Sequence, residues 1–159
     1  MSGDLPETDV RTASNWLRRG GFVAYPTETV WGLGACADQP RAIERLMDWK
    51  GRGQDAPRAV LVSSPDAAKR LGCELPPPVL RLMAAFWPGP LMLVVPCAGR
   101  CAPGVARSDG ALGLRCSPHP TAAGLVRALE EGGLGPLTST SLNRSGEPPA
   151  RNATARQNG

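Results

Sequence analysis

The stretch Phe22-Val-Ala-Tyr-Pro-Thr-Glu-Thr-Val-Trp-Gly-Leu-Gly34, followed closely by Pro40-Arg-Ala-Ile-Glu-Arg-Leu-Met-Asp-Trp-Lys50, decides the fold class. Phe22 to Tyr25 is a short apolar run stopped by Pro26, the pattern of a buried strand. Thr27 to Gly34 reads as a polar loop. From Pro40 to Lys50 the period is 3.6: Ile43, Leu46, Met47 and Trp49 fall inward, while Arg41, Glu44, Arg45 and Asp48 fall outward. Upstream, Thr8 to Arg19 predicts a helix with Val10, Ala13, Trp16 and Leu17 on one face, ended by Gly20-Gly21. Downstream, strands are expected at Ala59–Val62, Leu91–Val95, Ala111–Arg115 and Leu137–Ser141, and helices at Pro65–Leu71, Pro78–Phe86 and Thr121–Leu129. Apolar strands alternating with helices predict a single α/β domain over residues 8–159, with both sheet faces largely covered. From Asn143 to Gly159 there is no large aliphatic or aromatic residue, which reads either as a flexible tail or as a domain cut short.

Composition narrows the classes. The 159 residues include 19 Gly and 17 Pro, which argues for many turns and against a coiled coil or a long helical bundle. No apolar run reaches the ~18–20 residues that span a bilayer. Met1 to Asp9 is acidic and lacks the basic-then-apolar order of a signal peptide. The five cysteines, Cys36, Cys73, Cys97, Cys101 and Cys116, are odd in number and scattered, unlike a disulfide framework. Cys97 and Cys101 are the only close pair, and the lone His119 lies too far along the chain for a convincing zinc site. A reduced, cytoplasmic protein is the expectation. Net charge is +4, and of the 18 basic residues only Lys50 and Lys69 are lysine. Lysine is a compact point charge where arginine is a planar fork, so Lys50 stands out in an arginine-rich chain.

Three polar clusters fall at or near the ends of predicted elements: Tyr25-Pro-Thr-Glu-Thr29, Lys50-Gly-Arg52 and Ser139-Thr-Ser-Leu-Asn-Arg-Ser-Gly146. Open α/β sheets bind ligands at the carboxyl ends of strands. Hydroxyls, Asn, Lys and Arg together suit an anion with several oxygens, such as a nucleoside triphosphate. Each cluster also has a plainer reading, as a turn, a helix cap or a basic helix terminus. There is neither a P-loop nor a Gly-x-Gly-x-x-Gly pattern. The sole histidine sits in Ser117-Pro-His-Pro120, a turn-like setting that does not support a Ser/His or Cys/His pair.

These segments, with Phe86-Trp-Pro-Gly-Pro-Leu91 and Gly113-Leu-Arg-Cys-Ser-Pro-His119, occur in the order and spacing of the YrdC-like family, and the chain resembles it over roughly residues 10 to 150. The resemblance implies a twisted mixed sheet flanked by helices, with a basic concave site. Family members are threonylcarbamoyl-AMP synthases, nucleotidyltransferases that join L-threonine, bicarbonate and ATP into threonylcarbamoyl-adenylate and release pyrophosphate. A separate transferase complex then modifies tRNA with the threonylcarbamoyl group. By motif match, Lys50 and Arg52 would clamp the phosphates and the carbamate. Thr29 and Arg115 would hold threonine, with Arg115 on its carboxylate. Ser141 and Asn143 would contact threonine and nucleotide, and Arg151 would touch ATP. Magnesium is expected with the triphosphate.

Departures from the family pattern accompany the match. Gly53-Gln-Asp-Ala-Pro57 replaces the usual segment after Lys-x-Arg-Pro, so Ala56 brings no side-chain donor. Leu61 stands where some relatives carry a threonine-contacting His, and Met92 where a Thr is usual. Relatives also continue past the Ser-x-Asn segment, so the C-terminal part is expected to be short or truncated. Two other functions are compatible with the residues: a module binding tRNA or double-stranded RNA through phosphates with weak or no catalysis, and a domain forming carbamoyl-adenylate.

Overall fold

The structure is a computed structural model that describes residues 7–51, 58–99 and 101–151. In chain order the elements are α1 (Glu7–Arg18), β1 (Phe22–Tyr25), β2 (Gly32–Ala35), α2 (Pro40–Lys50), β3 (Ala59–Leu61), α3 (Pro65–Arg70), α4 (Pro77–Phe86), β4 (Gly89–Pro96), β5 (Ala111–Cys116), α5 (Pro120–Glu131) and β6 (Leu137–Ser141). The strands form one sheet in the order β1-β2-β6-β3-β5-β4. Only β3 and β5 run parallel, and the other pairs are antiparallel, so the sheet is mixed.

Two cores hold it. Leu33, Ile43, Leu46, Met47, Val60, Val62, Met83, Leu112 and Leu114 fill one face beneath α2, α3 and α4. Leu17, Tyr25, Leu61, Leu125, Leu129 and Leu137 fill the other beneath α1 and α5. The alternation along β3 and β5 produces this division, since residues two apart share a face. Thus Val60, Leu112 and Leu114 go to the first core, Leu61 goes to the second, and Arg115 joins the face of Leu61, its partner in register.

Four expectations need correction. Gly32-Leu-Gly-Ala35 is a fully buried strand rather than part of the loop. Glycine has little strand propensity, and pairing on both sides imposes the strand here. A side chain at Gly32 or Gly34 would press on the Tyr25 ring at 2.9 and 3.0 Å, so only glycine fits beneath that ring. Trp16 is exposed while Leu17 is buried, because α1 presents a narrower apolar stripe than the four residues suggested. The edge strand β4 leaves Met92 and Val94 about half exposed, so that end of one sheet face is open rather than covered. Finally, Cys73 and Cys97 form a disulfide, their Cα atoms 3.9 Å apart across an antiparallel bridge. A bridge joining residues 24 apart leaves no spacing signal in the sequence. Cys36, Cys101 and Cys116 are free thiols. Among the described residues, no helix is long and apolar enough to cross a membrane.

The segment between α4 and β4 is a structural corner. The Trp87–Pro88 peptide is cis, and the Trp87 indole N–H donates to the Leu91 carbonyl at 2.9 Å.

Candidate functional site

Register builds the floor of the site. Ser139 of β6 lies beside Ala59 of β3, which lies beside Gly113 of β5. Three of the smallest residues thus form a row across three strands on the face that carries Arg115 and Ser141. Beyond this row the α1–α5 layer covers Leu61 and Leu137. On the β4 side Met92 lies over Gly113, where an added Cβ would meet its sulfur at 3.3 Å. A shallow floor remains between polar groups on two sides.

On one side is Lys50, at the C-terminal end of α2, where Gly51 takes the left-handed conformation that closes the helix (φ 65°). Its side chain turns inward and is only 1% exposed. The Nζ ammonium donates to the Ser141 carbonyl at 2.6 Å and to Asn143 Oδ1 at 3.3 Å. The Ser141 hydroxyl also donates to Asn143 Oδ1, and Asn143 Nδ2 donates to the Glu147 carbonyl at 2.6 Å. The Ser145 N–H donates to the Lys50 carbonyl at 3.0 Å. Lys50 of the second sequence cluster is therefore interlocked with the third.

On the other side the Pro26–Trp31 segment folds back over the sheet. Thr27 Oγ1 donates to the Val30 carbonyl at 2.7 Å and accepts from the Thr29 N–H at 3.2 Å, which sets the loop's curvature. Arg115 Nη2 donates to Glu28 Oε1 and, at 3.0 Å, to Thr29 Oγ1. The Ser117 hydroxyl donates to Glu28 Oε2 at 2.6 Å. The side chains of Arg115 and Glu28 are 16% and 19% exposed, so their ion pair is largely sheltered from water. Burial would raise the Glu28 pKa, but the hydrogen bonds from Arg115 and Ser117 outweigh it and hold the carboxyl below the usual range. Arg115 Nε is buried without an acceptor.

Among the expected residues the structure therefore joins Thr29 to Arg115, and Lys50 to Ser141 and Asn143. Arg52 and Ala56 lie outside the described residues. Arg151 follows Ala150, whose backbone is tied to Trp31 and Leu142, and its own side chain is exposed. Leu61 is buried against α5 residues directly beside Arg115, so it brings packing to the floor and no polar group. His119 caps α5, its Nδ1 accepting from the Thr121 N–H at 3.3 Å.

Three residues of the site lie in segments quoted from the sequence but were given no role of their own there: Glu28, Ser117 and Ser139. Ser139 carried a signal, because a period of two along β6 puts it on the face of Ser141. The meeting of Glu28 with Ser117 left no such pattern, since it joins residues 89 apart.

A family model described as Telomere recombination, for Sua5, YciO and YrdC proteins, matches residues 15–158. The chain belongs to the Sua5/YciO/YrdC family. Similar members include a Xanthomonas campestris protein named threonylcarbamoyl-AMP synthase, 38% identical over 158 residues, covering 95% of this chain and 80% of the relative. The crystal structure of Pyrococcus abyssi Sua5 complexed with L-threonine superposes with a TM-score of 0.84 at 33% identity, covering 92% of this chain and 42% of that one. This chain therefore spans less than half the length of the Pyrococcus protein. Escherichia coli YciO shares the fold at a TM-score of 0.75 and 21% identity, over 91% of this chain and 68% of that one. The mixed sheet flanked by helices is thus the Sua5/YciO/YrdC architecture.

Proposed function

We propose that this protein is an L-threonylcarbamoyladenylate synthase, a nucleotidyltransferase that forms threonylcarbamoyl-AMP from L-threonine, bicarbonate and ATP and releases pyrophosphate. The observation that carries the reading is one sheet floor bordered by a carboxylate-reading fork at Arg115 and Thr29 and by a buried cation at Lys50. Relatives named threonylcarbamoyl-AMP synthase, and the complex of a relative with L-threonine, favour it over an RNA-binding module or a carbamoyl-adenylate-forming domain.

The chemistry suits the residues. The threonine amine and bicarbonate condense to a carbamate with loss of water. A carbamate oxygen then attacks the α-phosphorus of ATP, and the bond to the β-phosphate bridging oxygen breaks as pyrophosphate leaves. Several anions meet in one place, so the site has to supply cations and hydrogen-bond donors aimed at developing charge. Arg115 and Thr29 hold the amino acid. Lys50 and, by its place in the motif, Arg52 hold the phosphates and stabilise the departing pyrophosphate, with Ser141 and Asn143 at the junction and Arg151 toward the nucleotide. Magnesium arrives as part of the triphosphate substrate, coordinated by phosphate oxygens and water. Glu28 receives hydrogen bonds from Arg115 and Ser117 at the border of the floor. The product would serve a transferase acting on tRNA, and the cytoplasm is the compartment that goes with this reading.

The test is pyrophosphate release from ATP with and without L-threonine and bicarbonate. Release that requires all three substrates is expected. Release indifferent to threonine, or obtained only when carbamoyl phosphate replaces threonine and bicarbonate, would overturn the assignment.

A further inference from the structure

The Arg115–Glu28 pair uses only part of the hydrogen-bonding capacity of both groups. A guanidinium has five N–H donors, and the two described bonds of Arg115 both leave from Nη2. Its Nε is buried without an acceptor. An ionised carboxylate has about four acceptor positions. Glu28 receives Arg115 and Ser117, one on each oxygen, together with a contact from its own backbone N–H. At least one acceptor position remains. The pair is anchored at both ends, Arg115 by Thr29 and Glu28 by Ser117, so neither charge moves freely. A fixed positive group beside a fixed negative group, each with spare capacity, is complementary to a molecule carrying a carboxylate and an ammonium on one carbon. A simple carboxylic acid would meet Arg115 but would also face the Glu28 charge with nothing to offset it.

We propose that Glu28 is a specificity-determining residue that accepts the α-ammonium of the amino-acid substrate, while the remaining Nη1 edge of the Arg115 guanidinium takes its carboxylate. The inference rests on the synthase reading above and deepens it. Glu28 makes the subsite select zwitterions and reject the corresponding hydroxy acids. It also reduces the net positive charge around Arg115, which lessens nonspecific occupation by phosphate or carboxylate anions.

The experiment compares L-threonine with (2S,3R)-2,3-dihydroxybutanoate, its analogue bearing a hydroxyl in place of the amine, by calorimetric titration of the full chain. Wild type is expected to bind threonine at least tenfold tighter than this hydroxy acid. In Glu28→Gln, threonine should weaken about tenfold while the hydroxy acid holds or tightens, so the preference collapses to within about threefold. A Glu28→Gln protein that keeps the preference overturns the proposal. So does one that binds both ligands more tightly by the same factor, because Glu28 would then only obstruct the fork. Ser117→Ala is the second variant, decisive if Glu28→Gln does not fold. It releases one oxygen of Glu28 without removing its charge, and threonine should weaken at least threefold with the hydroxy acid unchanged. An unchanged affinity for both ligands counts against the proposal. Threonine-dependent pyrophosphate release with the preference intact in Glu28→Gln removes the role of Glu28 alone. A wild type showing neither threonine binding nor threonine-dependent release removes the synthase reading with it.

Discussion

Replacing Lys50 by Met keeps the side chain's approximate length and removes its charge at a position 1% exposed to water. Two effects on stability oppose each other. The Ser141 carbonyl and Asn143 Oδ1 lose the donor that reaches them at 2.6 and 3.3 Å but keep the Asn143 N–H and the Ser141 hydroxyl, so the loss is that of hydrogen bonds to a charged group, about 1.5–3 kcal/mol. Against this, the folded chain no longer buries an ammonium, whose effective desolvation costs several kcal/mol. The two nearly cancel, so unfolding free energy should change by no more than about 2 kcal/mol. Catalysis has no such offset. Losing one preorganised donor from a site that stabilises developing charge typically lowers the rate about 100- to 1000-fold, equivalent to roughly 2.7–4 kcal/mol. Threonine-dependent pyrophosphate release at saturating substrates should therefore fall at least about 100-fold, while the urea transition stays cooperative. Lys50→Arg restores the charge but brings a planar fork into a space shaped for a compact ammonium, so it should recover no more than about a tenth of the activity. Release by Lys50→Met within about tenfold of wild type would refute the role of the ammonium. Parallel loss of activity and of the cooperative transition would show instead that Lys50 is chiefly structural.

Gly34→Ala would drive a Cβ into the Thr138 carbonyl of β6, a backbone atom that cannot step aside, and should destabilise by about 2 kcal/mol or more. An unchanged urea midpoint would contradict the packing described for β2. Thr138→Val removes the fully buried hydroxyl that accepts from the Ala35 N–H at 3.0 Å and should cost about 1–3 kcal/mol by the same measurement. A loss below about 0.5 kcal/mol would mean that the Ala35 N–H has found another acceptor. Because the Glu28 pKa is lowered in the fold, its ion pair contributes stability above the ordinary glutamate value, about 4.3, and loses it as pH falls through the lower folded value. Threonine affinity should accordingly stay level from neutrality down to about pH 5, and a calorimetric midpoint at or above that point would refute it. Burial pushes the Cys36 thiol up to about 12, with Asp38 adding to the shift, and burial likewise raises Cys101 and Cys116. The native protein at pH 8 should thus react with a thiol reagent far more slowly than the unfolded chain, and equal rates would contradict the described burial.

Much of the fold was legible because its signals are local. The bounds of α2 follow from a 3.6-residue apolar period, a proline at the start and a glycine at the end, each acting within one or two turns. The strand Leu137–Ser141 and the apolar segments preceding Lys50 and Arg115 were equally plain. Strand β2 was not, because Gly32 and Gly34 are chosen for the ring of Tyr25 and not for strand propensity. The partial exposure of β4 escaped for a related reason. An apolar run at an open sheet edge has the same composition as one in the middle, and only the strand order shows which it is.

The candidate site divides in the same way. Local sequence specified which residue types were available: a rare lysine closing a helix, a run of hydroxyls along one strand, and an arginine ending another. Through the ordered motifs it also determined the family. The tertiary structure decided which of these groups meet. It paired Arg115 with Glu28 across 87 residues, joined Cys73 to Cys97, and lined up Ser139, Ala59 and Gly113 into a floor. Helix periods and turn residues act over a few positions and leave a pattern in the chain. An ion pair, a disulfide or a row across three strands depends on register between distant segments, and register is set only when the cores on both faces of the sheet have packed.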